Sequence, residues 1–321
     1  LLGFTGGFVD IDGDGWDDLL IAGDFCSSRI FRNVEGTRFE DVTEAAGVGT
    51  DENGMGSVVA DLNGDGLPDW FITSIGRVGE GPQLPTSKLG FGMSGNRAYL
   101  NNGDGTFTDA TDLLGLRDGG WGWGAAIEDF DNDGELSVAM TNGFRAAPDG
   151  EDDEAADPAA DDPLRFWSFD ADSDASVERS AEVGLTDTGL GRAMVPFDMD
   201  RDGDLDLLVA NYGEAPRLYR ADTPDQHWIT LSLDDPMTPG NREGLGAKVV
   251  VTPFDGEPIT RWVHTWGSYE SQVPAEAHVG LGATDEVASI EVYWPGSSTP
   301  QVVRDVDADQ LFVVTREDPT N

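Results

Sequence analysis

Asp10, Asp12, Asp14 and Asp18 stand close together in a nine-residue stretch, DIDGDGWDD, and the chain writes that stretch three more times. Residues 61–69 read DLNGDGLPD, residues 129–137 DFDNDGELS and residues 198–206 DMDRDGDLD. Carboxylates so spaced on a tight turn point into one concavity, which only a hard cation makes tolerable. Gly at the sixth position supplies a backbone turn that a side chain would obstruct. The ion expected is Ca2+. Its expected side-chain ligands are Asp10, Asp12, Asp14 and Asp18 in the first loop and Asp61, Asn63, Asp65 and Asp69 in the second. The third offers Asp129, Asp131 and Asp133, and the fourth Asp198, Asp200, Asp202 and Asp206. The carbonyls of the seventh residues, Trp16, Leu67, Glu135 and Asp204, are the expected fifth ligands. Ser137 stands where the third loop should have a carboxylate, so that site is expected to be weaker or to take a water there.

An EF-hand would place Glu at position 12, on a helix. Position 12 is instead Ile21, Ile72, Met140 or Val209. The runs after the loops (LLIAG at 19–23, WFITS at 70–74, VAMT at 138–141, LLVAN at 207–211) read as buried strands. The segments before them are strand-like too, so each loop is expected to close a β-hairpin.

A second pattern follows at a fixed remove, which is the mark of a repeat architecture. Residues 30–48, 99–116 and 168–185 align across their second halves. NNGDG at 101–105 reads as a hairpin turn, and EAAGV, DLLGL and AEVGL as single helical turns stopped by Gly. The stretch DADSDASVE at 170–178 looks like a further metal loop. It lacks the sixth-position Gly and aligns with the NNGDG turn, which is the reading preferred. A G-x-G step (54–56, 122–124, 189–191) then leads into the next metal hairpin. Four strands in about 50 to 70 residues is the content of one propeller blade.

These units resemble FG-GAP/VCBS repeats, the calcium-loop blades of integrin α-subunit propellers. The chain after about residue 222 resembles the ASPIC/UnbV domain of the cartilage acidic protein family. The residues that carry the second likeness are HWITLSL (227–233), NREGLGAKVVV (241–251), GSYESQ (267–272), HVGLG (278–282), IEVYWPG (290–296) and DVDADQLFVV (305–314). The resemblance implies an all-β fold, with β-propeller repeats over 1–222 and a β-rich ASPIC/UnbV domain over 223–321. Propellers of this family usually close with seven blades, whereas four units are visible here. The chain also opens at Leu1, immediately before a metal hairpin. Upstream blades, a small ring and completion by another chain all remain open.

The formal charge is −43, from 62 acidic and 19 basic side chains. Four calcium ions would offset only a small part of it. Only Lys88 and Lys248 are lysines. Such a surface suits a protein working in very high salt, where screening removes self-repulsion; an acidic extracellular protein in ordinary salt is the alternative. Nucleic acid is excluded as a direct partner because no basic stripe exists. Cys26 is the only cysteine, so no internal disulfide can form, and bound calcium is expected to supply the cross-links instead. No apolar run approaches a membrane span.

Residues 74–96 and 142–163 are two insertions at the same place in consecutive units, so they are expected to be neighbours on one rim. The first contains Lys88 and Phe91 and the second GEDDEAADPAADD. They read equally as acidic solvated loops or as a partner-binding surface.

Catalytic signatures are missing. His227, His264 and His278 fall in separate strand-like segments without metal-ligand spacing, and Ser268 has no neighbouring base in sequence. A structural role is expected for each. The expected function is therefore non-enzymatic: an exported, calcium-stabilised protein that acts outside the cell or on its surface in adhesion, matrix formation or self-assembly. Its partner would be a protein, a glycan or another copy of itself. The alternatives are a module recognising a glycan or peptide on the insertion rim, and a carbohydrate-active hydrolase.

Overall fold

A computed structural model describes residues 2–76, 92–145, 159–169, 175–223 and 226–318. The described chain is almost entirely β. Each carboxylate loop joins two antiparallel strands: β1 (Leu2–Val9) and β2 (Asp18–Asp24), and correspondingly β5 (Ser57–Ala60) with β6 (Asp69–Ile72). The third and fourth pairs are β9 (Gly122–Glu128) with β10 (Ser137–Asn142), and β13 (Gly191–Phe197) with β14 (Asp206–Asn211).

Two outer strands complete the first three sheets: β3 (Arg29–Val34) and β4 (Arg38–Asp41), β7 (Arg97–Asn101) and β8 (Phe107–Asp109), β11 (Arg165–Phe169) and β12 (Ser176–Glu178). Each is a four-stranded meander, the order of a propeller blade. The fourth sheet departs from that expectation. It has one outer strand, β15 (Arg217–Tyr219), because the chain then crosses into the C-terminal domain. The pairing of Phe169 with Ser176 agrees with a hairpin at DADSDASVE, although residues 170–174 lie outside the described residues. The helical turn α1 (Thr43–Ala46) ends on Gly47 at φ 77°, and Gly115 and Gly184 repeat that left-handed stop.

The blades pack face to face in chain order. Strand alternation turns Leu20 and Ala22 of β2 toward Trp70 and Ile72 of the second blade. Ala98 and Leu116 meet Val138 and Met140 across the next interface, and Ala139 and Phe166 meet Leu207 and Val209 across the third. The G-x-G steps allow this closeness at the centre. A Cβ on Gly56 would fall 2.2 Å from the Trp123 carbonyl oxygen, and one on Gly124 2.4 Å from that of Arg192. No side chain fits between the innermost strands.

Seven further strands follow among the described residues: β16 (His227–Asp234), β17 (Lys248–Pro253), β18 (Ile259–Trp262), β19 (Glu276–Gly282), β20 (Glu286–Tyr293), β21 (Gln301–Asp307) and β22 (Gln310–Thr315). They form two sheets, ordered β19-β16-β22 and β18-β17-β20-β21, around a core that includes Ile229, Leu231, Val249, Val279, Ile290 and Trp294. β16 and β22 run parallel. This domain lies against the innermost strands. Thr5 Oγ1 donates to the Gly267 carbonyl at 3.3 Å, and the Ala125 N–H donates to the buried Ser268 hydroxyl at 2.8 Å. Ser268 thus satisfies the inner edge of the third blade, and the C-terminal domain covers inner strands of the arc.

Candidate metal centres

Each loop is built around its first carboxylate. Asp10 accepts backbone N–H groups from Gly13 and Gly15, both at 2.8 Å, which folds the loop back over its own start. Asp61, Asp129 and Asp198 accept from the sixth-position glycines Gly66, Gly134 and Gly203 at 2.9, 2.8 and 3.0 Å. The ninth carboxylate ties the loop to the rest of its blade. Asp18 accepts from Ile11 at 3.1 Å and from Asn33 at 2.7 Å; Asp69 does the same with Leu62 and Asn101, and Asp206 with Met199 and Ala221.

Three loops gather three carboxylates, each with an oxygen within 4.8 Å of the others: Asp10, Asp12 and Asp18; Asp129, Asp131 and Asp133; Asp198, Asp200 and Asp206. The remaining expected side chains stand beside them. Asp14 and Asp65 hold the seventh-residue N–H groups of Trp16 and Leu67, both at 2.9 Å, and Asp202 accepts from Asp204 at 3.2 Å. The loop at Asp61 does not gather three, because its third position is the amide Asn63, whose Nδ2 donates to Asp65 at 3.0 Å. It carries a different signal: Asp61 Oδ1 is buried without a hydrogen-bond partner. A buried carboxylate oxygen left alone is costly unless a cation meets it.

The electrostatics agree with a cation. Burial pushes the Asp18, Asp69 and Asp129 carboxyls up to about 7, and neighbouring loop carboxylates add to the rise. A divalent ion would remove both causes by pairing with the charged form. Alternate acidic oxygens with backbone carbonyls form a hard-donor set without sulfur or imidazole, which suits Ca2+ or Mg2+ and not zinc.

Loops three and four are also wedged by the C-terminal domain. Asp129 accepts from the Gly280 N–H at 3.1 Å, and the Gly282 N–H donates to the Asn132 carbonyl at 2.8 Å. Arg201 forms a two-pronged pair with Glu276 at 2.8 and 2.9 Å. Asn132 and Arg201 occupy the fourth loop position, left-handed at φ 59° and 63°, where loops one and two have Gly13 and Gly64. A side chain is strained there. It is retained in the two loops that reach β19, whereas a Cβ on Gly13 or Gly64 would meet nothing.

Sequence reasoning missed the contacts of these two loops with the C-terminal domain and also Arg261. That guanidinium sits on β18 against the charges of Glu128, Asp129 and Asp61, with Nε and Nη2 buried and without a partner. The non-glycine fourth positions were the readable clue. Arg261 left none, since it comes from the other domain.

The three histidines lie apart, each beside its own neighbours. His278 is buried, 3.0 Å from Thr230 Oγ1, and His264 stacks on Trp266 with centroids 4.6 Å apart. His227 lies 2.8 Å from Asp309. Cys26 is exposed in its turn.

Comparison with known proteins decides the family. The FG-GAP-like repeat model matches residues 10–72 and 89–140, and the ASPIC and UnbV model matches residues 237–321, together well over half of the chain. This is an FG-GAP-like repeat protein with a C-terminal ASPIC and UnbV domain. It is similar to cartilage acidic protein 1 of Homo sapiens, 26% identical over 327 residues that cover 87% of this chain and 46% of that protein. The Mus musculus protein of the same name is 26% identical over 348 residues, 93% of this chain and 50% of that protein. The chain thus spans about half the length of the curated relatives it matches. All four carboxylate loops fall in the blade region of this FG-GAP and ASPIC/UnbV chain. Among the described residues no helix is long and apolar enough to cross a membrane.

The two insertions lie mostly outside the described residues, at 77–91 and 146–158. Their bases do meet: Ile75 bridges to Trp121, and Trp121 stacks on Phe144 at 4.2 Å.

Proposed function

We propose that this is an exported, calcium-stabilised protein that works by contact with other proteins outside the cell, in the first place with copies of itself. The observation that carries the reading is a pair of exposed apolar faces, one on the first blade and one on the fourth. On the first blade Phe8 and Phe39 are 53% and 47% exposed, with ring centroids 6.4 Å apart, and Leu19 lies in register with Phe8. On the fourth blade Leu208 and Leu218 are register partners, 37% and 50% exposed. The opposite faces of the same strands make the blade–blade cores. Each face is of the kind that packs blade on blade three times within the chain. A head-to-tail contact between copies would join them.

Calcium acts indirectly, by holding the hairpins that carry these faces. The similarity to cartilage acidic protein 1 and the strong acidity support an extracellular setting, and the charge together with the scarcity of lysine supports high salt. No catalytic role is assigned, because the carboxylates with a clear arrangement belong to the loops.

Sedimentation velocity in calcium at high salt tests the reading. Concentration-dependent association that weakens in Leu218→Asp and in chelator is expected. A strictly monomeric particle at every concentration would remove the assembly reading.

A further inference from the structure

A groove of about 610 Å3 opens between the third and fourth blades, on the side of the metal loops. That volume is in the range of small-molecule sites. Its lining includes Phe169 and Tyr219, both partly exposed, and three residues of the third metal loop, Asp131, Asp133 and Ser137. Aromatic rings and a metal loop therefore share one concavity.

Ser137 distinguishes this loop from the others. It holds the ninth position, where Asp18 and Asp206 join the carboxylate clusters of their loops. The third loop gathers Asp129, Asp131 and Asp133 instead. Ser137 is only 4% exposed and lines the groove, and among the described residues no hydrogen bond to its hydroxyl is present. Calcium takes six to eight oxygens. Three carboxylates and the Glu135 carbonyl would be too few for such an ion, and Ser137, which stands where the ninth ligand would be, lines the groove.

The charge of the groove selects among occupants. Among the described residues of its walls, Asp131, Asp133, Glu135, Glu182 and Asp222 outnumber Arg179 and Arg220, so a calcium ion would bring these residues only near neutrality. A neutral molecule rich in hydroxyls fits better than an anion. Adjacent hydroxyls would supply two hard oxygens to the ion, while the apolar face of a pyranose ring lies on Phe169 and Tyr219. We propose that this groove is a calcium-dependent sugar site, in which vicinal hydroxyls of a neutral hexose complete the coordination sphere of the third loop.

The inference rests on calcium occupying that loop, so occupancy is measured beside it. Calorimetric titration of the full chain with D-mannose, D-glucose and D-galactose, in calcium and in EDTA, is the experiment, with an acidic peptide as comparator. Bound calcium is counted on the same samples. Binding of at least one hexose in calcium is expected, with loss in EDTA. Ser137→Asp supplies the ninth carboxylate, and should weaken hexose binding at least tenfold while keeping the calcium-dependent rise in melting temperature. Tyr219→Ala should weaken it several-fold. Calcium bound with no hexose bound would overturn the sugar site alone, as would hexose binding unchanged in Ser137→Asp or in EDTA, or the acidic peptide binding in the sugar's place. Absence of bound calcium would overturn the metal reading together with it.

Discussion

His278 Nε2 lies 2.7 Å from Asn132 Oδ1, a buried contact that joins the C-terminal domain to the turn of the third metal loop. On its other side Asn132 Nδ2 donates to the Gly203 carbonyl of the fourth loop at 3.1 Å. One amide therefore locks two loops and a second domain in register. The left-handed backbone that Asn132 must adopt is the strain offset by these bonds.

The contact should be energetically coupled. His278→Ala leaves a buried amide oxygen unsatisfied and a cavity beside Trp228, and is expected to destabilise by about 2–4 kcal/mol. Asn132→Gly relieves backbone strain but breaks the same bond, and should destabilise less. The double variant should be less destabilised than the sum, by about 1 kcal/mol or more. Denaturant titration of the four proteins checks this; strict additivity would show that the two residues act separately.

The buried histidines predict an acid limit. Burial holds His264 down at about 4 and His278 at about 3, with the Arg261 charge adding to the latter. In the unfolded chain both protonate near ~6.5. The unfolded state thus binds more protons as pH falls below that value, so stability present above about 6.5 is lost progressively toward pH 4. With calcium saturating the loops, so that their raised carboxyls do not titrate with the opposite sign, the melting temperature should fall by roughly 5 °C or more over that window, and the slope should flatten in His264→Gln. A slope unchanged by the substitution would remove His264 as the cause.

Metal dependence should be visible one ligand at a time. Asp202 faces solvent at the fourth loop, 3.8 Å from Arg220. Asp202→Ala should lower the melting temperature in calcium and matter much less in chelator, where no ion is lost. Equal effects in both would mean that Asp202 acts through Arg220 instead.

Salt should stabilise this chain well beyond the concentrations that screen ordinary surface pairs. A net charge of −43 resists compaction until the screening length falls below the spacing of the charges. Melting temperature is expected to rise steadily from about 0.1 M to multimolar KCl. A flat or falling curve would favour an acidic protein adapted to ordinary salt.

The hairpins and blade order were legible because period-two strands flank an unmistakable loop, and the glycine stops and turns recur in register. The G-x-G steps were visible as a pattern, but their reason is a backbone contact between neighbouring blades, which one strand cannot reveal. The truncated fourth sheet was hidden for a related reason: Arg217–Tyr219 reads like any outer strand, and only the route of the chain shows that no fourth strand joins it among the described residues. The wedge of β19 between loops three and four was illegible, since Asn132 and Arg201 acquire meaning only from residues ~75 to 150 positions away. The expected ranking of the loops also needed geometry. Loop three, poorest in ligands, gathers its three carboxylates, whereas Asn63 keeps loop two from doing so.

The most direct test of the account is a crystal structure grown in calcium, with anomalous difference density computed at the loops. We expect a peak at each of the loops opened by Asp10, Asp61 and Asp198, with oxygen ligands at about 2.3–2.6 Å, and a weaker or water-completed peak at Asp129. Density without an ion at the first three loops would contradict the claim that these carboxylates are held together by calcium.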